Sequence, residues 1–110
     1  MTEDDWRAAR GRQYVPYADI DDRDGYLHLS TYDQALETAR RYFSGHTDLL
    51  ALEIPLVAIA DAVTFEPVPE RNNEAFPHLF GRLPTDAVRR VIPLRASDDG
   101  AFKFNEAAAR

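Results

Sequence analysis

Cysteine is absent from the 110-residue chain, which removes disulfides, thiolate nucleophiles and cysteine-based zinc sites together. Lysine is nearly absent too, since Lys103 is the only one among thirteen basic residues. No run of apolar residues approaches the roughly 18 needed to cross a bilayer, and the first six residues, MTEDDW, are acidic where a secretory leader is basic. The expectation is a cytoplasmic protein that does not enter membranes. Also missing are a P-loop, a GxGxxG turn and a GxSxG nucleophile elbow. The three histidines show neither HxH nor HxxxH spacing, so a metal centre has no local signature.

What is present is ordinary globular material. Hydrophobic residues make up 45% of the chain and charged residues 29%, a balance that excludes overall disorder. The length fits one domain spanning 1–110, with a single continuous core. The formal net charge is −6, and acidic residues crowd the first quarter from Glu3 to Asp24. Nucleic-acid backbones are repelled by such a chain, which lacks the basic face that releases counterions from phosphates. The pairs Arg40–Arg41 and Arg89–Arg90 read as solvated edges.

The local patterns predict an α+β fold: a small, mostly antiparallel, split sheet of about five strands with one long and one or two short helices. Thr2 and Asp5 resemble a capping box opening a short helix, whose buried face carries Trp6 and Ala9 and which ends near Gly11. Gln13 to Asp24, with Pro16 and its run of aspartates, reads as an ordered loop pinned by Tyr14 and Tyr17. Tyr26 to Leu29 is a short strand. Thr31 with Gln34 then caps a long helix in which Ala35, Leu36, Ala39, Tyr42 and Phe43 recur at helical spacing until Ser44 and Gly45 stop it. Strands follow at Leu49–Ile54 and Val63–Glu66, with a helical turn over Leu56–Ala60 opened by Pro55. Pro67 and Pro69 argue for a long polar loop, because proline cannot continue a ladder. A helical turn at Pro84–Asp86 precedes a strand over Ala87–Leu94. Asp98, Asp99 and Gly100 supply hairpin chemistry ahead of the alternating Phe102 and Phe104. Asn105–Arg110 reads as a frayed tail.

Two segments carry the chemistry. GYLHLST, Gly25–Thr31, sets His28, Ser30 and Thr31 at a strand end directly before a helix, where free N–H groups attract anions and sugar hydroxyls. The alternative is that Ser30 and Thr31 only cap that helix while His28 sits satisfied in the core. FPHLFG, Phe76–Gly81, holds His78 between aromatic residues. If His28 and His78 face one cleft, Tyr26, Phe76 and Phe80 become its apolar walls. Glu66, at a strand end, is the best-placed carboxylate for general base work or for gripping a ribose hydroxyl. Arg71 is a candidate clamp for phosphate or carboxylate. His46, just past the long helix, interacts with the helix dipole rather than a ligand.

The blocks GYLHLST, ETARRYF, LLALEI, FEPV, FPHLFG and LPTDAV, in that order over nearly the whole chain, resemble the small bacterial family catalogued as domain of unknown function 952. That family is grouped by fold with the ADP-ribosyltransferase superfamily, so the resemblance implies a split antiparallel sheet and NAD as a candidate cofactor. His28 with Ser30 matches one histidine block of the family, and His78 matches the other. The family pattern also has a short apolar strand ahead of the Trp6 helix, which this sequence does not contain. Either translation starts upstream of Met1, or that strand is lost and a sheet edge lies open.

Three functions compete. One is a transferase or glycohydrolase acting on a nucleotide or NAD-like ligand, with Glu66 gripping the sugar and a histidine assisting the leaving group. Another is an acid–base cyclase or isomerase working on an apolar metabolite in a biosynthetic pathway. The third is a non-catalytic ligand-binding domain, or a homodimer built on the exposed sheet edge.

Overall fold

The computed structural model describes residues 1–110, and every strand in it pairs antiparallel. Six strands form two three-stranded sheets, so the α+β class and the antiparallel pairing are as expected, and the split sheet of about five strands is here two separate ladders with six strands in all. The first sheet has the order β1 (Leu27–His28), β4 (Glu74–Leu79), β3 (Val63–Val68). The second has the order β2 (Leu50–Glu53), β5 (Arg90–Ala96), β6 (Phe102–Phe104). One 12-residue helix, α3 (Tyr32–Phe43), and two short ones, α1 (Glu3–Ala9) and α2 (Asp19–Asp24), complete the regular elements. No helix is long and apolar enough to cross a membrane.

Capping fixes the helix starts. The Thr2 hydroxyl accepts the Asp5 N–H at 3.2 Å, and Gln34 reaches back to accept the Thr31 N–H at 3.0 Å, each satisfying a donor that the first helical turn leaves free. The segment read as a loop up to Asp24 contains α2. That helix has almost no apolar periodicity; it is held by Asp21 Oδ2, which accepts the Ala18 N–H at 2.9 Å, and by Gly25, whose φ of 84° closes its C-terminus.

The long polar loop after Glu66 does not exist. β3 runs on through Pro67 to Val68, because it is an edge strand and a proline there need not break a ladder. The chain then reverses within five residues, Pro69 to Asn73. Asn72 and Asn73 both adopt φ 59°, a left-handed turn conformation that asparagine tolerates, and the Asn73 N–H returns to the Val68 carbonyl at 3.0 Å. Pro77 lies in central β4 and shortens its neighbour. Its carbonyl accepts the Leu29 N–H at 3.1 Å, but it has no N–H to return, so the β1 ladder stops after two residues.

Three apolar clusters make the core. Val15, Leu27, Ile59, Leu79 and Leu83 pack under the first sheet. Trp6 and Ala9 of α1 lie on Leu50 and Val91, and Ala39 of α3 packs with Leu49, Leu94 and Phe102. The tail read as frayed is tied down: Arg110 exchanges backbone hydrogen bonds of 2.7 and 2.8 Å with Val91, and its guanidinium meets Glu3 at 2.9 Å. At the other end, Thr2 bridges Leu49 and the Met1 carbonyl accepts the Leu50 N–H at 2.7 Å, beside β2.

Leu79 is fully buried, and shortening it leaves a cavity that the surrounding strands cannot close. Leu79→Ala is expected to destabilise the fold by about 2–5 kcal/mol, read as a lower denaturant midpoint at unchanged slope.

Candidate functional site

Because side chains alternate along a strand, the residues on either side of Leu79 share the face opposite the core. β1 and β4 pair Leu27 with Leu79 and His28 with His78, and β3 sets Thr64 opposite His78 and Glu66 opposite Phe76. His28, His78, Glu66 and Phe76 therefore face one side. The two imidazole centroids lie 5.9 Å apart, which brings together residues 50 positions apart in the chain.

Each imidazole is held by carboxylate. His78 Nδ1 lies 3.0 Å from Glu66 Oε1, with the His78 ring buried and Glu66 half-exposed. His28 is gripped from both ends, Nδ1 by Asp21 Oδ1 at 2.6 Å and Nε2 by Asp24 Oδ2 at 2.9 Å. A carboxylate only accepts, so both contacts are satisfied together when both ring nitrogens carry hydrogen. Asp21 is buried and also accepts the His28 backbone N–H at 3.1 Å. His78 Nε2 has no partner in the chain, and no side-chain nitrogen or oxygen is both sealed and unpartnered. This nitrogen therefore reaches the surface.

Tyr26 completes the cluster. Its ring stacks on His78 at 4.1 Å and 15°, and lies 4.6 Å from His28 and 5.1 Å from Phe80. Burial of the ring, then the negative charges of Asp24 and Glu66, push the Tyr26 phenol above its ordinary value, so it stays a donor near neutral pH. Phe80 is exposed at the rim.

The remaining predicted residues lie to one side. Ser30 Oγ bonds Thr38 Oγ1 at 2.8 Å, and Arg71 Nη1 donates to the same Thr38 oxygen at 3.0 Å. Arg71 belongs to the β3–β4 turn, is itself buried, and lies over the Phe76 ring at 4.4 Å. Phe76 is thus covered by a guanidinium rather than lining a cleft. Thr31 is the N-cap of α3. His46 faces Phe43 and Asp48, apart from the cluster. Arg40 and Arg41 pair with Glu37, and Arg89 and Arg90 with Glu53.

Neither of two concavities on the surface lies between the histidines, where a preformed hollow is expected. One of those, of about 620 Å³, lies between residues 12–17 and 81–82. The other, of about 230 Å³, lies at the side of α3 next to Arg71. No three His, Asp or Glu side chains are placed to hold a metal ion. The reading from residues alone missed Asp21, Asp24 and Thr38. A signal existed for the two aspartates: three residues apart and followed by a glycine, they fit one face of a short capped helix.

The Asp24 carboxyl is held down to about 2, by hydrogen bonds from the Arg23 guanidinium and then by His28. A depressed value means that the ionised group favours the fold above its ordinary value near 3.8 and that this contribution fades as pH falls through about 2. A carbon-detected carboxyl titration is expected to give a midpoint near 2 for Asp24, rising toward the ordinary value in Arg23→Ala.

The fold is shared with solved structures. The crystal structure of protein CC0527 from Caulobacter crescentus is 29% identical, with a TM-score of 0.85 over 94% of this chain and 89% of that one. Its solution NMR structure gives 30% identity and a TM-score of 0.78, over 92% of this chain and 85% of that one. No curated protein matches the chain. The family model described as Protein of unknown function (DUF952) matches residues 1–91. The chain belongs to that family.

Proposed function

We propose that the face formed by Tyr26, His28, Glu66 and His78 is an acid–base site for a neutral or cationic small molecule. The observation that carries this is the Glu66–His78 pair. With Nδ1–H donated to Glu66, the lone pair of His78 sits on Nε2, the nitrogen that the chain leaves free, and the carboxylate supports the positive charge the ring gains on taking a proton. Stacking on Tyr26 limits rotation of the imidazole. The phenol of Tyr26 supplies a proton donor alongside.

Ligand charge follows from the surroundings. Asp21, Asp24 and Glu66 give the cluster three carboxylates against the Arg23 guanidinium on Asp24 and His28 when both its nitrogens carry hydrogen, a balance that stays negative, and the predicted clamp for anions, Arg71, is engaged by Thr38 and Phe76. That field opposes the pyrophosphate of a dinucleotide, so acid–base work, as in a cyclisation or isomerisation, is better supported than NAD chemistry on an ADP-ribosyltransferase-like scaffold.

Ultrafiltration of the protein with a metabolite extract, followed by mass spectrometry of what is retained and what is altered, tests the reading. The wild type is expected to retain and convert an uncharged or cationic compound. Glu66→Gln should keep retention within a few-fold while slowing conversion by roughly 10²-fold or more, and His78→Gln should abolish conversion with the circular dichroism spectrum unchanged. Retention of NAD or ADP-ribose instead, or a compound retained but never altered, would overturn the proposal.

A further inference from the structure

The concavity between residues 12–17 and 81–82 is distinct from the histidine cluster and differs from it in charge. Its volume of about 620 Å³ lies within the roughly 300–1,000 Å³ of small-molecule sites. The chain carries a net charge of −6, yet none of the residues lining this cleft is acidic and two, Arg12 and Arg82, are basic. Seven arginines elsewhere are ion-paired: Arg7, Arg23, Arg40, Arg41, Arg89, Arg90 and Arg110. Arg12 and Arg82 have no such partner, a state they share with Arg10, Arg71 and Arg95, and they are the two that line this cleft.

The cleft is also built rather than incidental. Its two walls are cross-linked by backbone bonds, Val15 N–H to the Leu83 carbonyl at 2.8 Å and Thr85 N–H to the Gln13 carbonyl at 3.0 Å. Side chains add two more: the Tyr17 hydroxyl donates to the Gly81 carbonyl at 2.5 Å, and the Thr85 hydroxyl to the Arg12 carbonyl at 2.6 Å. Arg82 is steadied by the Tyr14 ring, with Cζ 5.1 Å from its centroid, a cation–π contact that limits where the guanidinium can swing.

We propose that this cleft binds a small oxyanion, the phosphate or carboxylate group of a metabolite, between Arg12 and Arg82. Guanidinium presents its donors in a planar fork that matches two oxygens of either group, and the absence of a lining carboxylate leaves both forks free. Tyr14 acts as a positioning residue through Arg82. The site is independent of the acid–base proposal, because it uses none of the same side chains.

Titration of the ¹⁵N-labelled protein near neutral pH with inorganic phosphate and, separately, with benzoate is the test, with chloride at matched ionic strength as reference. Amide shifts confined to residues 12–15, 17 and 81–82 are expected to saturate with one of the two anions and not with chloride, and the tighter anion identifies phosphate or carboxylate. Arg12→Gln and Arg82→Gln should each weaken binding tenfold or more, Arg82→Lys less, and Tyr14→Leu a few-fold. Arg95→Gln, which removes an exposed charge outside the cleft, should leave binding unchanged. Shifts that never saturate, that chloride reproduces, that persist in the Arg12→Gln/Arg82→Gln double variant, or that Arg95→Gln weakens equally would overturn the proposal. Unchanged spectra outside the cleft report that each variant is folded.

Discussion

The two-residue ladder between β1 and β4 separates the core of this protein from its paired histidines. Leu27 opposite Leu79 and His28 opposite His78 send the leucines to one face and the imidazoles to the other, because successive side chains alternate. A slip of one residue in β1 would turn its side chains over, placing His28 among Val15, Ile59 and Leu83 and turning Leu27 outward. With Pro77 ending the ladder so early, its own hydrogen bonds are a weak guarantee of register. The stronger one comes from α2. Asp21 accepts both the backbone N–H and the ring Nδ1 of His28, so one buried carboxylate occupies the free edge of β1 and fixes which way His28 points. Leaving that carboxylate buried without its partners would cost on the order of several kcal/mol, which couples the placement of α2 to the register of the sheet.

The same coupling explains what the sequence disclosed and what it withheld. α3 was legible because its signals are local: Thr31 and Gln34 at the start, apolar residues at helical spacing, Ser44 and Gly45 at the end. The Asp98–Gly100 reversal into β6 was legible for the same reason. α2 was not, since Asp19–Asp24 has hardly any apolar face and owes its form to Asp21 and Gly25 together with a histidine seven residues from Asp21. Pro67 misled because a proline reads as a ladder breaker unless the strand is known to be an edge, and strand order is not a local property. The tail ending at Arg110 is held by Val91 and Glu3, residues too distant for any periodicity to register.

Within the site, residue type was the better guide and surroundings the worse. His28, His78, Glu66 and Tyr26 could be nominated because imidazole, carboxylate and phenol stand out in short aromatic segments, and they do meet on one face. Ser30, Arg71 and Phe76 carry equally suggestive chemistry, yet they join Thr38 in a neighbouring polar and cation–π contact that braces α3 and the β3–β4 turn against the sheet. Nothing in an isolated arginine tells whether its fork faces solvent or a threonine 33 residues away.

Charge is divided across a short stretch of chain. Phe80 reaches Tyr26 at the edge of the carboxylate-held histidines, and two residues later Arg82 reaches Tyr14 in the basic cleft. Gly81 between them adopts φ 141°, a conformation that strains any residue with a side chain, so the reversal from one environment to the other depends on glycine there. A chain of net charge −6 thus gathers three carboxylates around His28 and His78, while the cleft that begins at Gly81 is lined by no carboxylate and by two guanidinium groups, Arg12 and Arg82.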